Sequence, residues 1–172
     1  MEEFRKLSCT GTFEDYLDKV RKDPTITRTA WQRIYDMVLS YGSEEYVEFR
    51  KRIVRYKLFD DPDDGGRDAI FGIDVHLMKL VEVLKSGARG YGPEKRVLLL
   101  HGPVGSAKST IVRLLKKGLE NCSRAPEGAL YTFSWRGDSE EGGGVDEAVH
   151  DEPLKLIPEA LRSKVAGDLN SG

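Results

Sequence analysis

The sequence predicts an α/β chain in which a buried strand runs through a glycine-containing loop into a helix. Three observations predict it. The apolar run RVLLLH, residues 96–101, has the uninterrupted pattern of a parallel strand covered on both faces. Gly102-Pro-Val-Gly-Ser-Ala-Lys-Ser109 follows at once, and Ile111, Leu114, Leu115 and Leu119 then recur at helical spacing from about Lys108. GALYTFSW, residues 128–135, is rich in aromatic and β-branched residues and reads as a second strand.

The region before this core, residues 1–58, reads as helical. Thr12 is placed to cap a helix with Phe13, Tyr16, Leu17 and Val20 on one face and Pro24 beyond its end. A second helix carries Trp31, Ile34, Tyr35, Val38 and Leu39 and closes at Tyr41-Gly42. A third is expected from Glu44, with Tyr46, Val47, Phe49 and Ile53 among the basic residues Arg50, Lys51, Arg52, Arg55 and Lys57. That charge run is read as the solvated face of a helix. Residues 59–72, FDDPDDGGRDAIFG, read as a linker opening the second region, 59–172. Their four closely spaced acids lack the glycine and glutamate positions of an EF-hand. Leu77, Leu80, Val81 and Leu84 define a helix over 74–85, with Gly87 as its stop. Residues 136–150 have almost no apolar periodicity and are expected to form a disordered loop, in which Arg136-Gly137-Asp138 is a chance triplet. A short helix is expected within EPLKLIPEALRSKV, residues 152–165.

The 172 residues carry 27 basic and 29 acidic side chains, a net charge of −2 that offers no general field for nucleic acid. Cys9 and Cys122 match neither a metal spacing nor a disulfide framework, which suits a reducing cytoplasm. The N-terminus lacks the apolar core of a signal peptide, and no stretch approaches a membrane span.

The functional signal is the loop. Backbone N–H groups of Gly102, Val104, Gly105, Ser106 and Ala107, in a loop that also holds Pro103, lead into a helix N-terminus that carries partial positive charge. Lys108 is placed to reach the β- and γ-phosphates of a nucleotide, Ser109 to ligate Mg²⁺, and Thr110 completes the turn. Ala107 stands where the G-x-x-x-x-G-K-[ST] pattern has its last glycine. Its methyl is harmless at negative φ, the conformation expected beside the helix start, and costs on the order of 1 kcal/mol at positive φ.

The alanine form, G-x-x-G-x-A-K-[ST], resembles the loop of the MoxR-type and replicative-helicase branches of AAA+ ATPases. IFGID, residues 70–74, sits where AAA+ proteins carry a turn near adenine, which by that resemblance puts Phe71 and Gly72 beside the base. Taken together, RYKLFDD, the stretch from IFGID through GPVGSAKST to GALYTFSW, and HDEPLKLIPEALR (150–162) resemble a PrkA-type serine protein kinase over roughly residues 13–162. The resemblance implies a P-loop NTPase (AAA+) core preceded by a helical N-terminal region, binding ATP with Mg²⁺ and self-associating as AAA+ proteins do. It also implies a protein substrate for the full-length family's serine/threonine kinase activity, with ATP-dependent proteolysis attributed to the family as well. The family's acid-ended strand, sensor residues and arginine finger are expected beyond Gly172, so the core is read as truncated and without catalytic residues of its own. Asp151-Glu152 follows only three residues of mixed character and is read as a surface acidic pair. The alternatives are an interaction module with a vestigial loop, or a fragment of a MoxR-like ATPase.

Overall fold

The computed structural model describes residues 10–136, 146–149 and 151–162. Cys9, most of the Arg136-Gly137-Asp138 triplet, His150 and the end of the expected final helix lie outside the described residues. By its contacts the chain divides into two compact units, residues 28–122 and a second made of 1–27 with 123–172. The boundary expected at 58/59 falls inside a 3-10 turn, Lys57–Asp60, of the first.

In the 28–122 unit, helix α2 (Ala30–Ser40) starts at a capping box in which Thr29 Oγ1 accepts from Gln32 N–H and the Gln32 side chain accepts from Thr29 N–H. Helix α3 (Asp74–Ala88) packs against it, and α4 (Lys108–Arg124) completes a core around Met37, Val38, Leu58, Phe59, Leu77, Val81 and Leu114. Gly87 was expected to end its helix but lies within the last turn of α3. A Cβ there would stand 2.4 Å from Cε3 of Trp31, so the residue is a close-approach point between helices.

Two further expectations are corrected in this unit. Residues 43–56 form no helix. They make an antiparallel hairpin of β1 (Ser43–Glu48) and β2 (Lys51–Tyr56), with Tyr46 opposite Ile53. Tyr46, Ile53, Val54 and Tyr56 suit strands, and the two-residue turn sets Phe49 and Arg50 at φ 46° and 61°. Nor is 59–72 a linker. Leu58 and Phe59 are core residues, and Ile70 N–H donates to Phe59 O at 2.8 Å, which folds the acidic turn back on the helices.

In the other unit, α1 (Phe13–Lys22) begins at the Thr12 cap, where the Asp15 side chain returns the bond. Tyr16 and Val20 are buried beneath Phe13, Leu17, Ile26, Tyr131 and Leu154. The second strand is shorter than expected: β3 (Phe133–Arg136) pairs antiparallel with β4 (Asp146–Val149). The end of the stretch expected to be disordered is therefore strand. Pro153–Leu156 is a 3-10 turn, and 159–162 are helical.

Candidate functional site

Residues 97–103 run extended into the loop without strand pairing. The expected buried parallel strand is not formed. Val97 and Leu99 are 94% and 84% exposed, because no neighbouring strand among the described residues covers them. The alternate positions Leu98 and Leu100 face helices α2, α3 and α4 across an apolar groove of about 310 Å³, with Trp31, Ile34, Leu80 and Leu115 on its walls. The period of two is that of a strand, with Leu100 packed against the core and Leu98 still 41% exposed.

The loop turns on Gly105, at φ 83°, and on Ala107, at φ 56°. The negative φ expected for Ala107 is thus corrected. Alanine sits in the left-handed region, its methyl against the hydrophobic core, and its carbonyl accepts from Ile111 N–H at 2.8 Å to open α4. The core contact holds a conformation that costs alanine about 1–2 kcal/mol.

Lys108 folds back over the loop. Its ammonium donates to Gly102 O at 2.9 Å, Pro103 O at 2.5 Å and Ser106 Oγ at 2.9 Å. The Ser106 hydroxyl in turn donates to Pro103 O at 2.8 Å. Val104 projects fully into solvent, Ser109 is exposed at the helix start, and Thr110 is half-buried behind it. The structure thus gathers residues 102–110 into one turn capped by a lysine.

Phe71 and Gly72 lie on the segment entering α3, Gly72 at φ 77°. The Phe71 ring is 70% exposed and carries the Arg55 guanidinium 5.1 Å from its centroid. Arg55 also reaches Asp60 and, at 3.5 Å, Asp74. This segment is tied to α4 by Arg113, which forms a bidentate pair with Asp68 at 2.7 and 2.8 Å.

Sequence reasoning missed what steadies the site. Asp61, 1% exposed, receives Lys117 Nζ at 2.8 Å and Asp68 N–H at 3.0 Å. Lys117 also meets Asp64 at 2.7 Å, and Asp63 accepts from Tyr41 and Asn121. The Lys117 bond, then the Asp68 N–H, hold the Asp61 carboxyl below the ordinary carboxylate range, while Asp61 and then Asp64 push Lys117 upward. No local signal reveals this cluster, since its partners lie on α4 and at the end of α2. In the other unit the Asp151 carboxyl pairs with Lys155 and is lowered chiefly by it.

A glycine loop opening a helix with a Lys-Ser pair is the arrangement of the P-loop NTPases, here with Ala107 in place of the motif's last glycine. The PrkA AAA domain model matches residues 11–171, and the chain belongs to that family. It is 36% identical over 162 residues to the "ATP-dependent protease PrkA" of Bacillus subtilis (strain 168), covering 94% of this chain and 22% of that protein. It is 26% identical over 116 residues to the "Serine/threonine kinase YeaG" of Escherichia coli (strain K12), covering 61% of this chain and 16% of that one. A Geobacillus stearothermophilus protein described only as an uncharacterized protein in the gldA 5′ region matches 82 residues at 39% identity, 48% of this chain and 71% of its own length. The chain thus spans about a fifth of the two named relatives. No solved structure matches.

Proposed function

We propose that the chain binds ATP with Mg²⁺ through Gly102, Pro103, Val104, Gly105, Ser106, Ala107, Lys108, Ser109 and Thr110, with Phe71 and Gly72 beside the base. One observation carries the reading: the Lys108 ammonium lies over the turn formed by 102–106, supported on Gly102 O and Pro103 O. A cation held there faces the position a β- or γ-phosphate takes in such loops.

The residues fit that ligand. The concave turn is open at Gly105, where a Cβ would meet nothing within 4 Å but would be strained by φ 83°. Ser109 is exposed at the start of α4, where a hydroxyl ligand to Mg²⁺ has to be accessible. The helix behind it runs 17 residues and adds its dipole. Bound Mg-ATP supplies a transferable γ-phosphoryl group. The chain's contribution is binding and charge neutralisation.

Turnover requires more, namely a carboxylate or amide that orients the attacking group and an arginine that meets the developing charge. Asp61, Asp63, Asp64 and Asp68 all serve α4 or Tyr41, which leaves them committed to structure. We therefore assign the described loop a nucleotide-binding role and name no catalytic residue among the described ones. ATP-dependent phosphorylation or proteolysis of a protein substrate is proposed for the full-length family, as the relatives' names suggest. Self-association and a cytoplasmic location complete the proposal, supported by the AAA family and by the absence of any described helix long and apolar enough to cross a membrane.

Titration calorimetry with Mg-ATP tests it: binding is expected, and Lys108→Ala should abolish it. The second reading, an interaction module with a vestigial loop, is favoured by the exposed Val97 and Leu99. It predicts no heat at millimolar nucleotide.

A further inference from the structure

An ammonium group has three N–H donors. In the described structure all three of Lys108 are engaged within the loop, two on main-chain carbonyls and one on Ser106 Oγ. The Ser106 hydrogen is engaged as well, on Pro103 O at 2.8 Å. Pro103 O, Ser106 Oγ and Lys108 Nζ therefore close a ring of three hydrogen bonds, and the loop satisfies its own lysine. Ser106 Oγ also lies inside the turn, 2.9 Å from where a Cβ on Gly102 would stand. A phosphate entering here meets a cation whose donors are already in use.

The three acceptors are not equivalent. Gly102 O and Pro103 O are fixed by the backbone, whereas Ser106 Oγ moves by rotation about one bond. We infer that Ser106 is an affinity-setting residue of the loop: its hydroxyl occupies one Lys108 donor in place of a phosphate oxygen and must be displaced by the polyphosphate. This rests on the nucleotide reading above and adds a competitor built into the site. Once displaced, the hydroxyl turns with its hydrogen free to donate to the incoming oxygen, so the competition is partial.

Two measurements test the inference. Without nucleotide, Lys108 in Ser106→Ala should be acylated by an amine-reactive ester severalfold faster than in wild type, read by peptide mass mapping. Ser106→Thr, which keeps the hydroxyl, should match wild type. In calorimetry, Ser106→Ala should bind Mg-ATP about fivefold more tightly, the size of one net hydrogen bond. Equal or weaker binding by Ser106→Ala, with unchanged Lys108 reactivity, overturns the role of Ser106 while leaving nucleotide binding intact. If neither protein binds Mg-ATP yet the reactivity changes as expected, the lysine contact stands and the nucleotide reading fails. If neither binds and the reactivity is also unchanged, both fall.

Discussion

The body and the N-terminus of α4 are held in opposite ways. Its middle is anchored: Arg113, Lys117 and Asn121 reach across to Asp68, Asp61, Asp64 and Asp63, and Leu114 is buried between them. Its N-terminus is fed by a strand-like segment with Val97 and Leu99 in solvent, then by a loop whose lysine bonds, among the described residues, to the loop itself. The difference teaches how such a site is built. Rigid support comes from long-range ion pairs and packing behind the helix, which leaves the front free to exchange its internal hydrogen bonds for those of a ligand.

Perturbing the anchored side should cost most. Gly87→Ala drives a methyl into the Trp31 indole, a flat and inflexible neighbour at 2.4 Å, and should destabilise by about 3 kcal/mol in denaturant titration. Asp61→Asn keeps the shape and the tolerance for φ 52° but removes the charge that meets Lys117. It should cost about 2 kcal/mol, read the same way.

The same residue gives a pH signature. Asp61 titrates below its unfolded value, so its contribution is fully present above the usual carboxylate pKa of about 3.9 and is lost as pH falls through the lower, folded value. The gap in stability between wild type and Asp61→Asn should hold at neutral pH and close in acid. A gap that persisted in acid would exclude the charge as its source.

The open side should respond weakly, or with the other sign. Ala107→Gly relieves a left-handed alanine and should stabilise by up to about 1 kcal/mol, less the methyl's packing on the core and the entropy glycine adds to the unfolded chain. Leu99→Ser, at a site 84% exposed, should change stability by less than about 0.5 kcal/mol. A larger loss there would mean the segment is more enclosed than the contrast between the two sides allows.

The pattern of what the sequence disclosed follows the range of the interactions. Helix α1 was legible because Thr12 and Asp15 are three residues apart, and α2 and α3 because their apolar faces recur locally. The loop residues were legible as a motif. The hairpin was hidden because its turn puts Phe49 and Arg50 at positive φ, where glycine or asparagine would have signalled it. The acidic turn looked like a linker because its partners stand 45, 56 and 58 residues away on α4. The conformation of Ala107 depends on a core contact that no local pattern encodes.

Amide hydrogen exchange with and without Mg-ATP tests the central claim most directly, since it reads the loop and the body of α4 in one experiment. The account predicts that nucleotide slows exchange across residues 102–110, with Asp61–Asp68 and the middle of α4 already protected and little changed. Exchange in the loop that is unaltered by millimolar Mg-ATP, or protection that grows chiefly at the acidic turn, would contradict it.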